Sequence, residues 1–157
     1  MSDTKRRTFL QGSLATGAAG AAWAVGLLTP ESILADWPTT AFASKETQEA
    51  IKDLYGTEVT ENHPSIHIKA PEIAENGAVV PIVVQTTLTD VTQIAIFAAV
   101  NPFPLAADFQ FSGGVLPFVS TRIKMSKTGD VVVVIKSAGK LYSARKEVKV
   151  TIGGCGG

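Results

Sequence analysis

From Ile66 onward the chain reads as a succession of short runs rich in β-branched residues with a period of two, each closed by turn formers, and this spacing allows few folds. The runs are Ile66–Lys69, Val79–Thr87, Gln93–Val100, Asp108–Phe111, Phe118–Lys124, Asp130–Lys136 and Leu141–Thr151. Between them stand Asn76-Gly77, Asn101-Pro102-Phe103-Pro104, Ser112-Gly113-Gly114, Thr128-Gly129-Asp130 and Ala138-Gly139-Lys140, where glycine supplies positive φ and proline ends a ladder. About seven short strands with little helix predict an all-β chain, an immunoglobulin-like β-sandwich. The single cysteine rules out the disulfide that pins many such sandwiches, so the strand order stays open.

Several residues refine this expectation. Pro81 cannot donate to a ladder, which predicts that its strand starts at or after it or bulges near an edge. The run Val131-Val132-Val133-Val134-Ile135 does not alternate, as in a central strand covered on both faces. Two readings of the second cover stand open, a partner subunit or valine simply tolerated on an exposed face. Phe103, between two prolines, reads as a plug into the core, with an exposed contact as the alternative. Ahead of the strands, Ser44–Tyr55 carries apolar residues at helical spacing (Ala50, Ile51, Leu54, Tyr55), with Ser44 as a capping candidate and Gly56 as the stop, which gives a short N-terminal helix.

The N-terminus is of another kind. Lys5-Arg6-Arg7-Thr8-Phe9-Leu10 precedes the apolar, Ala- and Gly-rich stretch Ser13–Leu28, and together they resemble a twin-arginine export signal. That stretch falls short of the ~20 apolar residues of a permanent span, so no stable membrane anchor is expected. Ala41-Phe42-Ala43 offers the small-x-small pattern of a signal peptidase site, with an earlier cut after Ala35 as the alternative. The expected division is therefore 1–43 leader, 44–152 sandwich and 153–157 flexible tail, with the protein delivered to the periplasm. Removing the leader deletes three residues of each sign, so the net charge of zero persists, and with no basic cluster elsewhere nucleic acid is not an expected partner.

Little in the body of the chain suggests catalysis. His63 and His67 have a chelating spacing only on a helix; Pro64 makes this segment extended, which separates the side chains by about 13 Å. No metal or cofactor is expected. Glu58, Glu61, Glu72, Glu75, Asp90 and Asp108 are scattered, and no nucleophile elbow, phosphate loop or dinucleotide fingerprint is present. Arg145-Lys146 and Lys149 read as a solvated face, or as a basic patch near the tail.

The tail is where the chemistry points. The sole cysteine, Cys155, stands between Gly153-Gly154 and Gly156-Gly157. Glycines give it a bare, adaptable arm whose reach beyond Ile152 is about 10 Å for three extended residues. No adjacent cation or helix N-terminus lowers its pKa, so about 3% is thiolate at pH 7. Maximal access without activation suits an attachment point whose chemistry comes from the sites it visits. A fixed intermolecular disulfide on a structural sandwich is the other reading.

The ending from Lys146 to Gly157, with Ser120-Thr121-Arg122-Ile123-Lys124-Met125 upstream and the twin-arginine leader, resembles the SoxY family of bacterial sulfur-oxidation carriers. That resemblance implies a non-catalytic sulfur carrier that forms a heterodimer with a SoxZ-like subunit. It implies covalent sulfur attachment at Cys155, with Gly153, Gly154, Gly156 and Gly157 as the carrier arm. It further implies docking to a c-type haem enzyme that conjugates thiosulfate to the thiol, to a thiosulfohydrolase and, in some organisms, to a sulfane dehydrogenase.

Overall fold

The computed structural model describes residues 37–112 and 114–153. Helices α1 (Thr39–Ala43) and α2 (Thr47–Tyr55) are followed by β1 (Glu61–Asn62), β2 (Ile66–Lys69), β3 (Ile73–Asn76), β4 (Val80–Thr86), β5 (Val91–Ala98), β6 (Leu105–Gln110), β7 (Phe118–Ile123), β8 (Gly129–Ser137) and β9 (Lys140–Ile152). The seven expected strands all form, with ends displaced by a few residues. The sequence pattern passed over β1 and β3, which are short and pair in parallel with β9 along its outer edge.

Two sheets face each other, as in the expected sandwich. The larger has the order β1-β9-β8-β5-β6, with β3 also on β9; the smaller is β2-β4-β7. The long hairpin β8–β9 turns on Ala138-Gly139, both at positive φ (48° and 77°), the two-residue turn whose twist matches paired strands. Pro81 lies within β4, one residue after its start. β2 reaches only as far as Val83, so at Pro81 the strand is flanked by β7 alone and behaves as a local edge.

Alternation on β5 and β8 divides the core in two. Ile94, Ile96, Val131, Val133 and Ile135 point between the sheets, onto Ile82, Val84 and Val119. Ala95, Phe97, Val132 and Val134 point the other way, where Ala41, Ala50 and Ile51 cover them, joined by the half-buried Leu54 and Tyr55. The valine run is thus covered on both faces, which excludes the reading of valine tolerated on an exposed face. The cover is neither a partner nor solvent: it is the chain's own helical layer. At about 1.5–3 kcal/mol for each side chain fully buried, this layer is a substantial part of the domain's stability.

Two local expectations are corrected. Ser44 does not cap α2, whose N-cap is Glu46; it ends α1, its N–H bonding the Thr40 carbonyl at 3.0 Å. Phe103 is not a plug, being 53% exposed: Ala98 N–H bonds Pro104 O at 2.8 Å, and this closed loop leaves the ring at its outer tip. Gly56 does end α2, at φ 78° with its N–H on Lys52 O.

Candidate functional site

The tail emerges from the last turn of hydrogen bonds on β9. β8 accompanies β9 only as far as the pair Gly129–Val148, which leaves Lys149–Ile152 without a strand on that side. Thr128 takes the missing strand's place: its Oγ1 accepts the Val150 N–H at 2.8 Å and reaches the Val150 carbonyl at 3.3 Å. On the opposite edge β3 pairs in register from Ile73–Lys149 to Asn76–Ile152. Beyond that register, Gly77 N–H donates to Ile152 O at 2.8 Å and Thr151 Oγ1 donates to Glu75 O at 3.0 Å. The root of the tail is therefore held from both sides as far as Val150 and from the β3 side to Ile152, its final strand residue.

A second network fixes the loop under the exit. Asn101 Nδ2 donates to Lys124 O at 2.7 Å and its Oδ1 accepts the Ser126 N–H at 2.9 Å, while Ser126 Oγ donates to Val100 O at 2.8 Å. Met125 N–H bonds Gly77 O at 2.7 Å, joining this loop to the β3 side. Gly153 rests on the Ser126 carbonyl so closely that an added Cβ would collide with that oxygen. Glycine at 153 is thus required for close backbone approach, a steric demand distinct from conformational freedom.

Of the residues singled out for function, Gly153 is placed by the structure; Gly154, Cys155, Gly156 and Gly157 lie outside the described residues. Asn101, Ser126 and Thr128 were visible in the sequence only as turn formers or not at all. Their roles depend on partners 22 to 26 residues away, which no local pattern announces.

The other candidates take structural places. His63 sets its ring edge-on to Tyr142 with centroids 4.9 Å apart, and its Nδ1 accepts the Ser65 N–H at 3.2 Å. His67 pairs with Gln85 on β2. No group of three metal-ligating side chains converges among the described residues. Arg145 is exposed, 3.9 Å from Asp130, and Lys146 Nζ donates to Ala70 O at 2.9 Å, tying the β2–β3 connection onto β9. Arg145 precedes Ile152 by seven residues, about 24 Å of strand at about 3.4 Å per residue, so it belongs to the solvated face and not to the tail. Two clefts flanking the loop before β7, about 420 and 430 Å³, offer one carboxylate, Asp90, and no histidine, which provides no acid–base pair.

The titratable pair with the most altered environment lies under the helices. The half-buried Tyr55 donates its hydroxyl to the Val134 carbonyl at 3.3 Å, and burial followed by the nearby Asp108 pushes its phenol far above the ordinary range. Asp108 is itself raised by burial, an effect partly offset by hydrogen bonds from Gln93 Nε2 (2.9 Å) and the Phe109 backbone. Both groups face the α2–sheet contact rather than the tail, and their chemistry is that of packing.

The family model of sulfur oxidation protein SoxY matches residues 51–155, which includes Cys155, and a twin-arginine translocation signal model matches residues 3–23. The solved sulfur carrier protein SoxY from Chlorobium limicola f thiosulfatophilum is 46% identical, covering 66% of this chain and 94% of its own, with a TM-score of 0.61. A superoxide reductase (neelaredoxin) from Ignicoccus hospitalis is 22% identical over 55% of this chain and 80% of its own, with a TM-score of 0.48, too distant a likeness to bear on function. No curated protein matches the chain. The twin-arginine leader directs the protein to the periplasm. With its family match running from the second helix through the cysteine of the tail, the chain belongs to the SoxY family of sulfur oxidation proteins.

Proposed function

We propose that this protein carries sulfur intermediates covalently on Cys155, and that the domain behind it is a non-catalytic handle. The observation that carries the reading is the contrast at residue 153. β9 is clamped on both edges to Val150 and on the β3 edge to Ile152, and the sole cysteine follows within a run of glycines. A fixed exit followed by a bare thiol delivers the sulfur atom to a narrow site on another protein without requiring the domain to enter it.

The chemistry assigns the carrier its place. Joining thiosulfate to the Cys155 thiol forms an S–S bond, releases one proton and gives up two electrons, which a c-type haem enzyme of the kind implied by the family would accept. Hydrolysis of the terminal sulfonate then consumes one water, releases sulfate and leaves a persulfide on Cys155, with no further redox change. A sulfane dehydrogenase would oxidise that remaining sulfur. Each step needs an electron acceptor or a hydrolytic centre, which the visiting enzymes implied by the family would supply. A SoxZ-like subunit completes the proposed heterodimer.

Intact-protein mass spectrometry on material from cells oxidising thiosulfate tests this. Adducts of one sulfur, or of thiosulfate, are expected on the wild type and absent from Cys155→Ser, which should fold normally and abolish turnover. Normal turnover by Cys155→Ser would sink the proposal. A stoichiometric disulfide-linked species on non-reducing gels would instead identify Cys155 as a structural link.

A further inference from the structure

The small-x-small pattern Ala41-Phe42-Ala43 is the obvious place for leader removal, and in the folded domain it is helix. Pro38 O accepts the Phe42 N–H at 3.1 Å and Thr40 O accepts the Ser44 N–H at 3.0 Å, so Thr39–Ala43 forms one closed turn. Ala41, the residue a peptidase would hold three positions before the bond, is 0% exposed and packs in the apolar cluster with Ala50, Ile51 and Phe97. Ser44, on the other side of that bond, is 6% exposed, and its hydroxyl proton lies between Asp53 Oδ2 at 2.7 Å and Thr40 O at 3.0 Å. The compact unit itself begins at Pro38.

The twin-arginine route carries proteins that have already folded, so a peptidase meets this turn after it has formed. A signal peptidase reads small side chains from an extended strand, and here one of them is inside the core. Cleavage at Ala43 would also turn the buried Ser44 nitrogen into an ammonium and remove its Thr40 acceptor, and burying a charge is costly even beside a carboxylate such as Asp53. It would strip Ala41 and Phe42 from the layer that covers Val132 and Val134.

We infer that the leader is removed ahead of Pro38, at the Ala35–Asp36 bond, and that Pro38–Ala43 remains as a structural part of the mature domain. Ala35 supplies the small residue before the bond, and the chain from Asp36 keeps the Pro38 carbonyl that starts α1. The test is N-terminal sequencing and intact mass of the full-length chain recovered from the periplasm of a host with a working twin-arginine system. The expected first residue is Asp36. Ala43→Lys, at an exposed helix end, should leave processing unchanged, whereas Ala35→Lys should arrest it. A mature chain beginning at Ser44, or arrest by Ala43→Lys, would overturn the inference.

Discussion

Asp108 shows how a single carboxyl can register the closeness of a helix. It sits on the edge strand β6, raised by burial beneath the layer that holds Tyr55, and hydrogen bonds from Gln93 and Phe109 only partly relieve it. Because its folded pKa lies above the unfolded value, the folded state keeps a proton that the unfolded chain has lost. The resulting stabilisation is full below the ordinary carboxylate pKa of about 3.9 and is lost as pH rises through the folded value. Asp108→Asn cannot ionise and retains an Oδ1 to accept from Gln93. It should therefore melt above the wild type at pH 7, by a few degrees, and the difference should vanish on acidification to about pH 3.5. A variant that melts below the wild type at pH 7 would show that the ionised carboxylate is stabilising there. In the sequence Asp108 is only one of several scattered carboxylates, and the burial that raises it comes only with folding. Cys155 is the opposite case, legible at once because its chemistry depends on its immediate neighbours.

The end of β9 is the element on which delivery depends. Its final residues have a strand on one edge and only the Thr128 side chain on the other, and Gly153 then lies against Ser126 O. Gly153→Ala forces a methyl into that carbonyl, so either the loop held by Asn101 or the last turn of β9 must move. A loss of about 1–3 kcal/mol is expected from overpacking of this kind, read as a lower urea midpoint, with slower sulfur loading on an intact thiol. An unchanged midpoint would show that residue 153 is free of the Ser126 contact. The strand pattern was legible wherever the runs were long enough to alternate. β1 and β3 escaped because Glu61–Asn62 is polar and Ile73–Asn76 is short, and both become strands only by pairing with β9. The helix reading failed at its start for a related reason: a serine suits either end of a turn, and the buried Ala41 decides which.

At the scale of the molecule, the six-stranded sheet is a wall with a core on each side, one closed by β2-β4-β7 and the other by α1 and α2. The unbroken valine run left open whether its second face is covered at all, because the cover lies some eighty residues earlier in the chain and straddles the expected leader boundary. This closure bears on the carrier reading. Every backbone group of β9 through Ile152 that meets β3, β8 or Thr128 is satisfied within the domain, and among the described residues the two cores are built of side chains between Ala41 and Val150. Deleting 154–157 should therefore leave the urea midpoint unchanged to within ~0.5 kcal/mol, as for surface changes away from packing, while abolishing sulfur adducts altogether. A deletion that destabilises by more than ~1 kcal/mol would make the tail a packing element of the fold. A thiol committed to packing cannot also travel between the active sites of other enzymes, so that single measurement separates a carrier from a sandwich that merely ends in cysteine.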